Sequence, residues 1–378
     1  MKRVKILCLC FLCLVHLLIS GCWDQKIFED IGLALVLGLE YTENGELLYT
    51  MTMPVFAEDI EETIELLSTT SNLLRQSRDQ IRNTSGKRVE GGKIQHIIFS
   101  KELAEKGIGK ILDVFIRSSE NPMLANIIVV DGSPFEMLST SRDYKDKPRL
   151  GVYLAHIIKE ARANNSTPES RVYNFTILQY SETIDPIASY ISFDDTGITI
   201  EGSALFNGNK MVGNIDFVET GLLHALMGKK IRFGYYIKAK DMEESVSPDK
   251  RGVSVLLHRV KRKIKATCED VTTPEIHISL DLTGIIDEID LDYRLDEPDD
   301  KKRLEEKIAM LIRRDFIKLI KYLQEIGSDP VGFGEIIRAK HSEYFKSVSW
   351  KTVYPMVKFD TALSSSAMNR SQDLQEYR

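Results

Sequence analysis

Residues 298–327 read PDDKKRLEEKIAMLIRRDFIKLIKYLQEIG and carry the strongest periodic pattern in the chain of 378 residues. Apolar residues recur there at steps of three and four, the spacing of one face of an α-helix. They are Leu304, Ile308, Leu311, Ile312, Phe316, Leu319, Ile320 and Leu323. Pro298 and Asp299 suit the start of a helix, and Gly327 suits the position just past its end. The stretch therefore predicts a long amphipathic helix whose apolar face packs into its own domain.

The segments before this helix have the alternation and the turn residues of β-strands. Three strands of an antiparallel sheet are predicted at residues 233–239, 253–267 and 276–284. Further upstream, the turn signal Asn207-Gly208-Asn209 separates two short apolar runs, and residues 219–227 predict a short helix. We therefore expect residues 198–363 to form a C-terminal domain that combines an antiparallel sheet with the long amphipathic helix.

The part of the chain before residue 198 alternates strands with helices. It starts with a predicted hairpin, whose strands are joined through Asn44-Gly45. Strands are predicted at residues 31–41, 47–56, 63–69, 94–100 and 126–130, and helices at residues 71–86 with Ser71 as N-cap, 102–118 and 153–163. We expect residues 22–197 to form an N-terminal mixed α/β domain. Residues 364–378 have too little apolar content to pack, which predicts a disordered tail. The predicted fold class is a multi-domain α+β ectodomain.

The first 22 residues have the pattern of an export signal. A basic segment with Lys2, Arg3 and Lys5 leads into the apolar residues 6–18, and small residues then precede Cys22. As a helix the apolar run would span only ~20 Å, against ~30 Å for a bilayer core, so a permanent transmembrane anchor is the poorer interpretation. The pattern predicts a lipoprotein signal over residues 1–21, after which Cys22 becomes the first residue and carries acyl chains such as palmitate. An ordinary secretory signal that is cleaved near Ser20 is the alternative.

Removal of this leader would change the net charge of the chain from −6 to −9. An acidic surface does not suit nucleic acid or anionic headgroups, so attachment to a membrane would have to come from the lipid. Only Cys22 and Cys268 would remain in the mature chain. A lipidated Cys22 leaves no internal disulfide possible, so core burial alone would hold the fold. Cys268 is interpreted as a small buried residue rather than a reactive thiol.

The leader passes into the mature chain through Gly21-Cys22-Trp23-Asp24, followed by an apolar, glycine-containing strand at residues 31–38. This start resembles that of the Ger(x)C spore germination lipoproteins, the C subunits of germinant receptors. Later segments resemble the same family, in the same order along the chain. They are Gly202-Ser203-Ala204-Leu205-Phe206 with Met211-Val212-Gly213, then Glu219-Thr220-Gly221-Leu222-Leu223, then Asp329-Pro330-Val331-Gly332-Phe333-Gly334 with Trp350. One departure is the segment after Trp350, where the family pattern would place a second acidic residue.

The resemblance implies a non-enzymatic subunit that is lipid-anchored on the outer face of the spore inner membrane. It would be assembled there with a multi-spanning A subunit and a transporter-like B subunit. The resemblance also implies a multi-domain α+β ectodomain. It does not name a germinant, and it does not say whether this subunit contacts one directly.

No set of residues in the sequence has a catalytic or metal-binding pattern. The stretch Gly86 to Lys93 is not a phosphate loop, because its glycines are wrongly spaced and Ile94 stands where a hydroxyl is needed. The acidic stretch at residues 287–300 lacks the glycine turn of an EF-hand loop. The histidines form no i,i+4 pair, which a zinc helix would need. Beyond His16 of the leader, they are His96, His156, His224, His258, His277 and His341. We therefore predict no enzyme, no cofactor and no metal site, with Cys22 as the single functional residue.

Two other classes of function compete with the receptor subunit. A solute-binding lipoprotein of an uptake transporter would need two α/β lobes around a cleft, and the long strands after residue 198 argue against it. A surface hydrolase would need a nucleophile and a base. Ser247 and Lys250 have a suitable spacing but no companion motif.

Overall fold

A computed structural model describes residues 3–7, 11, 31–55, 64–117, 122–144, 146–242, 250–268, 273–293 and 296–370. Cys22 and the Trp23-Asp24 pair lie outside these ranges. Among the described residues, no helix has both the length and the apolar character that a membrane crossing requires.

An eight-stranded mixed sheet organises the first part of the chain, in the order β10-β9-β8-β7-β6-β2-β3-β4. Its strands are β2 (Val36–Tyr41), β3 (Leu47–Pro54), β4 (Ile64–Ser71), β6 (His96–Ser100), β7 (Asn126–Val130), β8 (Ile187–Phe193), β9 (Ile198–Asn207) and β10 (Lys210–Asp216). The four central strands β8, β7, β6 and β2 run parallel, and the other pairs are antiparallel. A separate parallel pair joins β1 (Ile31–Leu33) to β5 (Arg88–Glu90).

Helices cover both faces of this sheet, because the central strands are apolar on both sides. Ile97 and Phe99 point into one core and Ile98 into the other, as the twofold repeat of a strand requires. The first core is covered by α1 (Leu74–Thr84), α2 (Lys101–Lys106), α3 (Gly109–Arg117) and α6 (Val172–Gln179). The second core is covered by α4 (Pro134–Thr140) and α5 (Leu150–Ala163). The N-terminal mixed α/β part of the predicted fold class is confirmed.

Local details differ from the sequence predictions. The predicted helix over residues 102–118 is broken into α2 and α3, since Gly107 adopts a φ of 113° that other residues avoid. The predicted N-cap at Ser71 is wrong, because Ser71 ends β4 and Leu73 holds the N-cap position of α1. The hairpin between β2 and β3 is confirmed, with Gly45 in its turn at a φ of 79°.

The second part of the chain forms a four-stranded sheet in the order β11-β12-β13-β14. Its strands are β11 (Phe233–Lys238), β12 (Gly252–Thr267), β13 (Glu275–Asp290) and β14 (Lys358–Arg370). Its helices are α7 (Phe217–Leu226), α8 (Ala239–Met242), α9 (Pro298–Glu325), α10 (Phe333–Lys340), α11 (Ser342–Ser347) and α12 (Trp350–Val353). The predicted antiparallel strands β11, β12 and β13 and the long helix α9 are all present. The predicted α+β class is therefore confirmed for this part as well.

Two features of the second part were not predicted. Strand β14 runs parallel to β13 and continues to Arg370, so residues 364–370 of the predicted disordered tail are paired strand. This strand forms through backbone hydrogen bonds to the edge of β13. The apolar content of residues 364–370 does not predict such pairing. Residues 371–378 lie outside the described ranges. Strands β9 and β10 follow residue 198 yet pair with β8, so the division of the chain at that residue stays a prediction.

Candidate functional site at a buried aspartate junction

Within the described ranges, the residues that the sequence suggested for chemistry do not come together, and Cys22 and Ser247 lie outside those ranges. No group of three or more His, Cys, Asp or Glu side chains with metal-binding geometry occurs in the described ranges. His96 and His224 are separate, buried core residues. Cys268 is half-buried, and burial raises the pKa of its thiol. The cluster of polar residues that the fold does assemble surrounds Asp329.

Asp329 lies just after the end of α9, where the chain reverses to start α10. Its side chain is 2% exposed. One carboxylate oxygen accepts the backbone N–H groups of Gly332 and Phe333 at 2.9 and 3.0 Å, and the other accepts that of Gly334 at 2.9 Å. Three amides of the first turn of α10 are thereby satisfied by one carboxylate, an arrangement that also suits the positive end of a helix.

Trp350 supplies the fourth donor to the same carboxylate. Its indole Nε1 lies 3.0 Å from Asp329 Oδ2. The indole also lies so close to Gly334 that a Cβ atom at that residue would fall 2.5 Å from Nε1. The aspartate, glycine and tryptophan positions of the quoted C-terminal segment therefore form one contact set, although Trp350 follows Asp329 by 21 residues.

A second buried aspartate, Asp185, links this segment to the eight-stranded sheet. Its Oδ2 accepts the backbone N–H of Asp329 at 2.9 Å, and its own N–H donates to the Asp329 carbonyl at 3.0 Å. Its Oδ1 accepts the N–H of Gly208, in the turn between β9 and β10, at 2.7 Å. One carboxylate thus holds the hairpin turn and the loop after α9 at the same place.

Further hydrogen bonds reinforce the contact between the hairpin and the loop. Ser328 Oγ donates to the Phe206 carbonyl at 2.7 Å, and Asn207 Nδ2 donates to the Gly327 carbonyl at 2.8 Å. Lys351 Nζ lies 2.6 Å from Asn207 Oδ1 and 3.7 Å from Asp185 Oδ1. We call the set of Asp185, Asn207, Gly208, Ser328, Asp329, Trp350 and Lys351 the aspartate junction.

Burial dominates the electrostatics of the aspartate junction. It raises the pKa of Asp329 to about 7, although the amides of Gly334 and Phe333 and the indole of Trp350 lower it and the nearby Asp185 carboxylate raises it further. Burial also raises the pKa of the neighbouring Tyr354 hydroxyl. Because four N–H donors already occupy the two oxygens of Asp329, the carboxylate has little capacity left for a substrate. The arrangement is chemically suited to holding backbone segments together.

Sequence reasoning placed Asp329 and Trp350 in one segment but missed Asp185. In the structure, Asp185 lies 3.7 Å from Lys351, the residue after Trp350. One feature of the sequence could have pointed to Asp185. Both aspartates of the junction are followed by proline, in Asp185-Pro186 and Asp329-Pro330.

Comparisons with known proteins match both parts of the chain. A family model described as the spore germination protein N-terminal domain matches residues 24–193. A second model, described as spore germination B3/GerAC like, C-terminal, matches residues 201–367. The two matches follow one another along the chain.

Three relatives extend the comparison over nearly the whole chain. Spore germination protein GerQC of Bacillus cereus is 23% identical over 348 residues, which cover 92% of this chain and 94% of the relative. Spore germination protein B3 of Bacillus subtilis is 23% identical over 378 residues, covering 93% and 95%. The crystal structure of the GerBC protein superposes with a TM-score of 0.55 at 18% identity, covering 89% of this chain and 96% of that one, which shows a shared fold. The chain belongs to the Ger(x)C family of spore germination proteins.

Proposed function

We propose that this protein is a lipid-anchored, non-enzymatic subunit of a spore germinant receptor, and that it acts in receptor assembly or signalling during germination. The observation that carries the proposal is the match of both family models, in order, along the chain. The relatives that match over nine-tenths of the chain are themselves named spore germination proteins. The partners would be a multi-spanning A-type subunit and a transporter-like B-type subunit, on the outer face of the spore inner membrane.

The leader supports the lipid anchor at Cys22. Its basic segment, short apolar run and small residues before the cysteine are the pattern of a lipoprotein signal. The acyl chains would restrict the protein to the plane of the membrane and so raise its effective concentration near membrane-embedded partners.

The chemistry of the aspartate junction supports a non-enzymatic role. The pKa of Asp329 is strongly raised, and its carboxylate is buried. Its two oxygens accept hydrogen bonds from four N–H groups of the protein itself. Perturbed carboxylates often mark active sites, but here the hydrogen bonds account for the position of the group. The junction would instead keep the two sheets in one arrangement while the protein holds its partners.

The rival class of a solute-binding lipoprotein is less well supported. Such a protein would pair the N-terminal α/β part with a second α/β lobe. The second part of this chain is instead a sheet of mainly antiparallel strands, with the long helix α9 packed against it.

The substitution Cys22→Ser tests the anchor and the assembly role together. We expect the variant to lose incorporation of a labelled fatty acid and to recover less of the A- and B-type subunits in a pull-down from spore membranes. The ectodomain should remain folded, because Cys22 lies ahead of the first strand. Cys268→Ser is the matched control, which should keep both the label and the partners.

Three results would contradict the proposal. Equal fatty-acid label in Cys22→Ser and wild type would end the lipoprotein interpretation. Full receptor assembly and a wild-type germination response in an unlabelled variant would make the anchor dispensable. Turnover of a substrate by the purified protein would favour the hydrolase class.

A further inference from the structure

The four parallel strands of the eight-stranded sheet all begin at the same end of the sheet, the end that holds their first residues. Val36, His96 and Asn126 open β2, β6 and β7 and are paired side by side. Strand β1 leads directly into β2, so the chain reaches the sheet at this same end, with Ile31 beside Arg88 of β5. We call this side of the domain the proximal edge.

The distance between Cys22 and the proximal edge is limited by the length of chain between them. Eight residues lie between Cys22 and Ile31, and even when fully extended these nine residue-to-residue steps span only ~30 Å. A lipid on Cys22 would therefore hold the proximal edge near the membrane surface. The opposite end of the sheet, where β7 leads into α4, would lie farther from the membrane.

The proximal edge exposes large apolar side chains. Leu124, just before β7, is 65% exposed, and Ile177 in α6 is 68% exposed. Tyr173, one helical turn before Ile177, is 42% exposed, and Ile116 at the end of α3 is 40% exposed. We call these four residues the edge patch.

Local contacts place the edge patch at this edge. The Tyr173 N–H donates to the Met123 carbonyl at 3.0 Å, and the Val172 N–H donates to the Ala125 carbonyl at 3.0 Å, so α6 starts beside the residues that open β7. Helix α3 packs against α6 and ends at Arg117. Because α6 buries Val172 and Phe175 on its inner side, it is apolar on both sides. A helix of that kind is expected to be covered on its outer side as well.

Exposed cations flank the edge patch in a chain whose net charge is negative. Lys93 and Arg117 are exposed and form no ion pair within the described residues. The other charges nearby are engaged: Arg88 lies 3.1 Å from Glu90, Arg171 lies 2.9 Å from Glu169, and Asp113 accepts the Tyr180 hydroxyl at 2.7 Å. Lys93 and Arg117 therefore favour an anionic surface.

The geometry does not suit a small-molecule ligand. A cleft between α1, β5 and α3 is lined by Arg78, Arg82, Val89, Ile94 and Phe115, among others, and encloses about 20 Å³. That volume holds about one water molecule, whereas ligand pockets enclose several hundred Å³. The proximal edge therefore presents a surface of apolar and cationic residues.

We propose that the proximal edge rests on the surface of an anionic bilayer, with the edge patch in the headgroup region. Tyrosine and large aliphatic residues suit that region, and arginine and lysine beside them attract anionic lipids. This inference rests on the lipid anchor of the proposed function. It adds the orientation of the ectodomain, with β1, α3 and α6 facing the membrane and α4 facing away.

Fluorescence quenching in vesicles tests this orientation. The full-length lipoprotein with Cys268→Ser and Leu124→Cys would be labelled with an environment-sensitive fluorophore and reconstituted into vesicles of phosphatidylcholine and phosphatidylglycerol. Glu136→Cys in the same background is the matched control, since Glu136 is exposed on α4 beyond the opposite end of β7. We expect lipids with a spin label near the headgroup to quench the fluorophore at residue 124 and to leave the one at residue 136 unquenched. The quenching should weaken on vesicles of phosphatidylcholine alone.

The outcomes separate the docking inference from the anchor. A protein that fails to float with the vesicles would contradict the lipid anchor itself. A protein that floats but shows no quenching at residue 124, or stronger quenching at residue 136, would overturn the orientation and leave the anchor intact. Equal quenching on neutral vesicles would overturn the anionic partner. Shielding of residue 124 only when the receptor subunits are added would show that a protein covers the edge patch instead.

Discussion

His224 is a buried histidine of α7, where Asn165 Nδ2 donates to its Nδ1 at 3.3 Å. Burial lowers its pKa to about 3, and Lys229 nearby lowers it further. Burial also lowers the pKa of His96, to about 4. Both imidazoles are therefore neutral core residues at pH 7.

Protonation of these two histidines should favour the unfolded chain in acid, opposite to Asp329, whose raised pKa favours the folded chain as the pH falls. The unfolded chain binds a proton near pH 6.5, whereas folded His224 resists protonation down to about pH 3. The stability that His224 contributes is thus complete above pH 6.5 and is lost as the pH falls. Between pH 7 and pH 5 this loss amounts to about 2 kcal/mol.

The substitution His224→Gln should reduce the loss of stability between pH 7 and pH 5 by that amount, as measured by urea unfolding at the two pH values. His156→Gln is the control, because His156 is exposed in the folded protein. An unchanged pH dependence in His224→Gln would mean that this imidazole is not buried in the folded state.

At the scale of elements, α7 packs on β11 through a glycine. A Cβ atom at Gly221 would lie 2.5 Å from the ring of Phe233, which is 3% exposed in the core of the second part of the chain. The helix can approach the strand this closely because the residue has no side chain. Asp216 and Glu219 fix the start of the same helix with a reciprocal capping box.

The substitution Gly221→Ala should therefore destabilise the protein although alanine favours helices. Overpacking against Phe233 should outweigh the ~1 kcal/mol gain in helix propensity, for a net loss of about 1 kcal/mol or more in urea unfolding. Gly86→Ala is the control, since a Cβ atom there meets nothing within 4 Å, and its stability should change by less than ~0.5 kcal/mol. A stabilised Gly221→Ala variant would show that α7 can move away from β11.

The long helix α9 behaves as its pattern predicts. All eight apolar residues of its predicted stripe are buried, and they share a core with the four-stranded sheet. This face is therefore occupied within its own domain, as the periodicity of the sequence predicts.

At the scale of the whole molecule, the aspartate junction connects the two sheets. Asp185 precedes β8 and Gly208 follows β9 in the first sheet, whereas Asp329 and Trp350 belong to the helices beside the second. The junction stabilises the relative position of these elements only while Asp329 can accept all four N–H groups.

The substitution Asp329→Asn should weaken this connection. One oxygen would be replaced by an NH₂ group that faces N–H donors, which leaves buried donors unsatisfied and should lower the free energy of unfolding by about 3 kcal/mol. Differential scanning calorimetry should show a lower and broader transition as the two parts unfold less cooperatively. Asp194→Asn is the control, because that exposed side chain only caps the turn at Thr196 and Gly197. A calorimetric transition like that of wild type would mean that the junction does not couple the two parts.

The sequence by itself determined the elements with strong local patterns. Side-chain periodicity and turn chemistry act between residues that are close in the chain. They predict the stripe of eight apolar residues in α9, the hairpin at Gly45 and the long strands β12 and β13. The resemblance to the family was also readable, as the family matches show. Cys22 remains a prediction from the leader alone.

Only the tertiary structure decided which distant segments meet. Asp185 binds the amide of Asp329 across 144 residues, and no periodicity in either segment encodes that pairing. The same holds for β14, whose strand forms on the free edge of β13, and for β9 and β10, which join the first sheet from beyond residue 198. The physical reason is that burial and backbone pairing select partners in space, whereas sequence patterns report only the preferences of neighbours along the chain.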